Sequence, residues 1–400
     1  MKNSQMKEAN LLLKDARVVL PQKVSEGASL LVKDGRIARI FEAGEELKCK
    51  AEETYDLKGL TLFPGFIDVH LHGAIGIDTM EASAEDLRRV GSFLARNGVT
   101  AWLPTLVPAP FEDYERAVQA IEKCIGEQDE GAGAARALGV HYEGPFINSA
   151  QCGALRPAYF QTFKGAGEID SLPSIKQGAA AHMITVAPEV DGGVELIKEL
   201  VARGWIVSIG HTRAEVDVLD QACRAGAHHM THFMNAMSPL HHRSPGPIGW
   251  GLMSDEVSCD VIADGVHLDP LMLRLVMRAK TTARVALISD SVAPTGLGDG
   301  DFQIWGETIS VTGGRTSNSR GNIAGSVITM RDAVRTMLSL SVPLEDIARM
   351  ASSNPARLLG VDQAHGSIEE GKRADLAALD TEGNVRLTLI GGSVAFEDGL

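Results

Sequence analysis

The sequence predicts an α/β protein: a TIM-type (β/α)8 barrel beside a small β-sandwich built from both termini. Three observations predict it. Eight short apolar runs end near His70, Leu106, Glu143, Ala187, Gly210, Thr231, Asp264 and Asp290, and helical patterns fill most of the gaps between them. Five of those run ends carry residues of the metal-binding type: His70 with His72, Glu143, His211, His232 and Asp290. Both chain ends read as short strands and turns. A doubly wound sheet is the alternative, but its single switch-point crevice would not gather residues from so many strands.

Taken in order, Leu30–Ile40 (LLVKDGRIARI) is two β-rich runs around Asp34-Gly35, a hairpin signal. A helix over Ser83–Asn97 opens with Ser83-x-x-Asp86, which resembles a capping box, and stops at Gly98. Helices over Phe111–Ile125, Gly193–Arg203 and Ala214–Ala225 follow, the last expected to be capped by Thr212 and ended by Gly226. Pro270, after Asp269, stands at the favoured first position of a helix running to Lys280. The Gly-, Ser- and Thr-rich stretch Gly296–Gly325 predicts a loop or hairpin after the eighth strand. The tail returns to strands over Gly366–Asp380 and Val385–Glu397, with turns at Glu370-Gly371 and Gly391-Gly392. The expected division is 1–60 plus 359–400 for the sandwich and 61–358 for the barrel.

Composition excludes several function classes. Apolar content of 44% and charged content of 22% are those of an ordinary globular protein. A net charge of −14 disfavours nucleic acid, which is bound through clustered Lys and Arg. An anionic small molecule would need a few local cationic groups. Cys49, Cys124, Cys152, Cys223 and Cys259 are odd in number and widely spaced, so neither a disulfide framework nor a structural zinc site is expected. Leu11-Leu12-Leu13 runs straight into Lys14 and Asp15, unlike a signal peptide, and no apolar run is long enough to span a membrane. These features predict a cytoplasmic protein.

The candidate site is built from the strand ends. His70 and His72 are two apart, so on a strand both imidazoles point to one face and can share an ion. Glu143 stands before Gly144-Pro145, a place suited to ligation rather than packing. His211 precedes a helix start, where it could also act as a cap or a satisfied core residue. Of His228, His229 and His232, the last lies nearest the Asn235-Ala236-Met237 turn and is the favoured ligand, while the first two close the preceding strand. Asp290 follows three apolar residues and fits a general base or a ligand; its other reading is a cap for the next segment. Histidines and carboxylates without thiolate suit Zn²⁺, Fe²⁺, Mn²⁺ or Co²⁺. Such ions activate water and polarise carbonyls, so the implied reaction is hydrolysis at carbon, of an amide.

The residues resemble a known family. PGFIDVHLHG (64–73), GVHYEGPFIN (139–148), APE (187–189), SIGHT (208–212), THFMNAMSPLHHRSPG (231–246), ADGVH (263–267), ISDS (288–291) and IAGS (323–326) are similar to the amidohydrolase superfamily and, within it, the N-acetylglucosamine-6-phosphate deacetylases. The resemblance runs nearly end to end. It implies a barrel flanked by a terminal β-sandwich, a homodimer, and an amino-sugar phosphate as substrate. It implies Glu143, His211 and His232 as ligands of a main metal and Asp290 as general base. His70 and His72, with Glu143 bridging and Asp290 ligating, would hold a second ion, so one or two are expected. It implies substrate contacts at Asn235, Ala236, Arg243 and His267, with Arg243 on the phosphate, often donated across a dimer. His267 could instead cap the helix at Asp269. One departure stands out: where many members carry a substrate-touching His, this chain has Leu155, with Arg156 the nearest polar replacement.

Other readings fit less well. Cyclic amide hydrolases use a carboxylated Lys at a mid-barrel strand end, and HMITVAPE offers none. Cytosine and adenosine deaminases usually lack a bridging Glu on strand three, where this chain has Glu143. A non-catalytic scaffold would be expected to lose ligands or base, and all six positions are intact. A deacetylase of N-acetylgalactosamine 6-phosphate, or of another N-acyl amide, is the alternative within the superfamily.

Overall fold

A computed structural model describes residues 11–47, 51–128, 133–176, 178 and 180–400; Cys49 lies outside the described residues. Strands from both termini form one sheet. Its order runs Ser393–Glu397, Val385–Ile390, Leu376–Leu379, Thr61–Pro64, Leu11–Val19, Val24–Lys33, Arg36–Phe41, with Glu53–Asp56 also pairing with Leu11–Val19. Thr61–Pro64 is thus a strand of this sheet, antiparallel to Leu376–Leu379. The hairpin at Asp34-Gly35 forms as expected: φ is 48° and 73° at the two residues, the left-handed pair that a tight two-residue turn needs. The sheet bends back on itself. Ile37 N donates to Lys372 O and Ala374 N to Gly35 O, both at 2.9 Å, around a core that includes Leu13, Leu30, Ile37, Leu62, Leu376 and Leu387.

The eight predicted barrel strands are Phe66–Leu71, Val99–Leu106, Gly139–Glu143, Ala181–Val186, Ile206–Ile209, His229–Met230, Ser258–Ile262 and Val285–Ile288. Successive members pair in parallel. The seam between the eighth and first strands closes through Asp290 N to His70 O (3.0 Å), His72 N to Ser291 O (2.7 Å) and the Ser289 hydroxyl to Asp68 Oδ2 (2.6 Å). Helices cover the outside. Ala84–Ala95 carries the anticipated box, with Ser83 and Asp86 each accepting the other's backbone N–H. Its Leu87, Val90 and Leu94 share one core with Trp102 and Tyr142 of the strands.

Two expectations change. The helix after strand five is Val216–Arg224, with Glu215 at its N-cap. Thr212 does not cap it: the hydroxyl accepts from Ala214 N (3.0 Å) and donates to Glu189 Oε2 (2.5 Å). Gly296–Gly325 contains more than a hairpin: Gly300–Ile304, Glu307–Thr312 and Arg315–Asn318 make a three-stranded antiparallel meander. Among the described residues no helix is long and apolar enough to cross a membrane.

Candidate metal centre

The C-terminal strand ends bring six of the predicted residues together. Glu143 Oε1 lies 2.8 Å from His211 Nε2 and 2.9 Å from His232 Nε2, and those nitrogens are 3.1 Å apart. On the other side, Glu143 Oε2 is 3.3 Å from His72 Nε2. Asp290 Oδ1 is 3.3 Å from His70 Nε2 and 3.4 Å from His72 Nε2. Glu143 therefore faces two imidazole pairs at once. All six residues are buried. Two sets, His70 with His72 and Glu143, and Glu143 with His211 and His232, have ligand atoms close enough to share an ion.

The arrangement fits a cation. The His211 Nδ1–H donates to Gln151 O at 2.7 Å, so a cation that displaced the Nε2 proton would find that lone pair aimed into the cluster, beside a carboxylate oxygen and a second imidazole. His70 is fully buried, and among the described residues neither ring nitrogen has a hydrogen-bond partner. Such polar atoms are costly unless something charged sits between them. The electrostatics of the cluster agree. Burial works against a charge on Glu143, yet hydrogen bonds from His211, His232 and His72 hold its carboxyl well below the usual range. Burial lowers the pKa of His72, but Asp290 and Glu143 outweigh it and push it up to about 10. His232, buried beside Glu143, rises to about 9. The carboxylates that favour charge on His72 and His232 would equally favour a divalent ion, which would compete with those protons.

Backbone geometry is strained where the chemistry gathers. His211, His232 and Asp290 have φ of 47°, 32° and 51°, left-handed positions that non-glycine residues seldom occupy. Each is held from outside. His211 O accepts from Asn148 N (3.1 Å), and Asp290 O from Ser326 N (2.7 Å). His232 N donates to the buried Asp260 carboxylate, whose other oxygen lies 3.0 Å from His229 Nε2. Gly325 packs against Asp290: a Cβ there would come within 2.8 Å of Asp290 O. Glu189 ties three strand ends together, accepting from Asn148 Nδ2 (2.8 Å), Arg213 N (2.6 Å) and Thr212 Oγ1.

A cavity of about 250 Å³ opens onto the cluster, lined in part by His72, Glu143, His211, His232, Asp290, Asn235, Ala236, His267 and Leu155. His267 lines the cavity with its Nδ1 2.7 Å from Asp264 Oδ2, and the side chain that caps the next helix is that of Asp269. Arg243 is not brought in. It is exposed, and its Nη1 lies 2.8 Å from His242 Nε2. Arg156 does not compensate for Leu155 in the cavity: its guanidinium stacks over Tyr159.

Sequence reasoning missed Asp68, His141, Asp260 and Trp305. Asp68 carries a readable signal, standing two residues before His70 and hence on its face; burial raises its pKa to about 7. His141 shares a face with Glu143 in the same way, its Nε2 2.9 Å from Thr185 Oγ1. Asp260 occupies the middle of the seventh strand. Trp305 leaves no signal, because it reaches His72 from a separate meander (ring centroids 5.2 Å apart).

Comparison with known proteins identifies the family. The amidohydrolase family model matches residues 61–395. The chain is 34% identical to the N-acetylglucosamine-6-phosphate deacetylase of Bacillus subtilis over 97% of both chains. It is 36% identical to the N-acetylgalactosamine-6-phosphate deacetylase of Escherichia coli O157:H7, over 84% of this chain and 87% of that one. Among solved structures, a mutant N-acetyl-D-glucosamine-6-phosphate deacetylase of Mycobacterium smegmatis, in complex with N-acetyl-D-glucosamine-6-phosphate, superposes with a TM-score of 0.87 at 30% identity, covering 97% of this chain and 99% of that one. Family membership carries with it a divalent metal, for which the two ligand sets provide. The chain belongs to the amidohydrolase family and, within it, to the N-acetylglucosamine-6-phosphate deacetylases.

Proposed function

We propose that this chain removes the acetyl group of N-acetylglucosamine 6-phosphate, giving glucosamine 6-phosphate and acetate. The observation that carries the reading is Glu143 placed between two imidazole pairs, with Asp290 at the edge of the same cavity. Glu143, His211 and His232 would hold one divalent ion, and His70, His72, Glu143 and Asp290 a second; the thiol-free donor set suits zinc, iron, manganese or cobalt. A bound ion supplies Lewis acidity toward water and the amide carbonyl. Asp290 accepts a proton from the attacking water as its oxygen bonds to the acetyl carbon. It then returns the proton to the nitrogen as the C–N bond breaks. Asn235, Ala236 and His267 orient the sugar.

Arg243 binds the phosphate, from the neighbouring subunit of a homodimer. Its exposure, and its absence from the cavity of its own chain, support that reading. Leu240, Met253, Leu271 and Leu275 are exposed apolar side chains of the same region and support a subunit contact. The four described cysteines are free thiols, which supports a reducing, cytoplasmic setting.

The galacto epimer is the second reading, favoured by the E. coli relative. Acetate release from N-acetylglucosamine 6-phosphate, its galacto epimer and unphosphorylated N-acetylglucosamine tests both readings and the need for phosphate. Fast turnover of the gluco phosphate alone is expected. A galacto preference would move the substrate, and equal rates with and without phosphate would refute the phosphate site.

A further inference from the structure

The meander after strand eight contributes a wall to the cavity. Trp305 stands at the tip between Gly300–Ile304 and Glu307–Thr312, with φ of 53°. Its ring meets His72 edge-on, with centroids 5.2 Å apart and planes at 80°. It lines the cavity together with Ala154, Leu155 and Ile323. The meander and its exit are latched to the loop that carries Leu155. Arg320 Nη2 donates to Ala154 O (2.9 Å), and Asn322 Nδ2 to Gly153 O (2.8 Å). Gln151 O, in the same loop, fixes the His211 tautomer. Trp305 also packs against the apolar cluster of Val292, Ala293, Ile304, Ile309 and Ala324. The wall is therefore apolar but for Asn322, whose amide is bonded to Gly153 O, and it is buttressed and in contact with His72.

The rest of the polar lining comes from elsewhere. Asn235 and Ala236 follow strand six and His267 follows strand seven, whereas Trp305 rests on His72 of strand one and Leu155 follows strand three. In the strand order the third strand lies across the barrel from the seventh. A substrate whose sugar is held on the arc of strands six and seven, with its carbonyl at Glu143 and Asp290, turns its acyl chain toward strands one and three. There it meets Trp305 and Leu155.

We propose that Trp305 and Leu155 form the acyl subsite and limit the acyl group to acetyl. This rests on the deacetylase reading above and adds a specificity role to it. A methyl fits against an indole and a leucine; a longer chain collides with a wall that the latches stop from yielding. The same arrangement gives Leu155 a purpose where a polar residue is absent: it faces the methyl, which needs no hydrogen bond.

The test is kcat/KM for the N-acetyl, N-propionyl and N-butyryl derivatives of glucosamine 6-phosphate, using metal-replete wild type, Trp305→Ala, Trp305→Phe and Leu155→Ala. Metal content is measured for each protein. One methylene in an apolar subsite changes selectivity by roughly 10–200-fold. Trp305→Ala should lower the acetyl-to-butyryl ratio by at least about tenfold, chiefly by raising butyryl turnover. Leu155→Ala should shift it the same way, and Trp305→Phe should shift it less than Trp305→Ala does. If Trp305→Ala does not fold or loses metal, Leu155→Ala decides the matter. Equal losses on all three substrates, leaving the ratio unchanged, would overturn the acyl subsite and leave a structural or sugar-stacking role. No turnover of the N-acetyl compound by wild type would refute the deacetylase reading itself.

Discussion

Replacing Asp290 by Asn separates the proposed base from the residues that merely surround it. Asp290 Oδ1 faces the Nε2 atoms of His70 and His72 at 3.3 and 3.4 Å, and the residue lines the cavity. Asn preserves the size of the side chain and can keep an acceptor oxygen in that place. It removes the negative charge and the capacity to take a proton. A positioned general base contributes roughly 10²–10⁴-fold to rate, equivalent to about 3–5 kcal/mol of activation free energy. Glu143, His211 and His232 are untouched, so at least one ion is expected to remain. The assay is acetate release over a range of substrate and pH, with metal content determined on the same preparation. The expected result is a kcat loss of that size with KM nearly unchanged. A kcat within about threefold of wild type, metal retained, would refute the base assignment, because that range is far below what a base supplies.

Three other outcomes follow from the same geometry. Glu143→Gln should cut metal content and lower turnover by more than about a hundredfold, since even outer partners of a ligand are worth 10–100-fold; full metal occupancy would remove Glu143 from the bridging role. Arg243→Ala should raise KM for the phosphorylated sugar by roughly 10–100-fold, the worth of a charged hydrogen bond, and leave the unphosphorylated sugar unaffected; equal effects on both would dissociate Arg243 from phosphate. Asp375 gives a pH prediction. Burial opposes its charge, but His365, Arg373 and the Gly391 N–H (2.7 Å) hold its pKa below the ordinary value. A depressed folded pKa contributes stability above the unfolded value of about 3.9, and that stability is lost as pH falls through the folded value. Asp375→Asn should therefore lower Tm near neutral pH, by about 3 kcal/mol of stability for a buried pair broken on one side. The gap to wild type should narrow below about pH 4, and a gap constant across that range would contradict the assignment.

The barrel was legible because each strand is a short apolar run, and the predicted ends fall within two residues of the observed ones. Most of the cluster was legible for a related reason: a polar or ligating side chain at the end of such a run has no packing role. The period-two rule that joined His70 to His72 also reaches Asp68 and joins His141 to Glu143. Asp68 and His141 were hidden inside runs read as barrel strands. Thr212 misled because its hydroxyl had a tertiary competitor, Glu189, invisible to local capping patterns. Trp305 could not be placed, since nothing local relates residue 305 to residue 72. Arg243 was readable as a member of a motif, but within its own chain it does not reach the cavity.

The most direct test of the metal-centred account is a metal titration. Enzyme stripped by chelator is given increasing Zn²⁺, or Fe²⁺ without oxygen, while acetate release from N-acetylglucosamine 6-phosphate is recorded. The account predicts negligible turnover without metal, rising to a plateau at one or two ions per chain as His70, His72, Glu143, His211, His232 and Asp290 are filled. Stripped enzyme that still releases acetate at the full rate would contradict it.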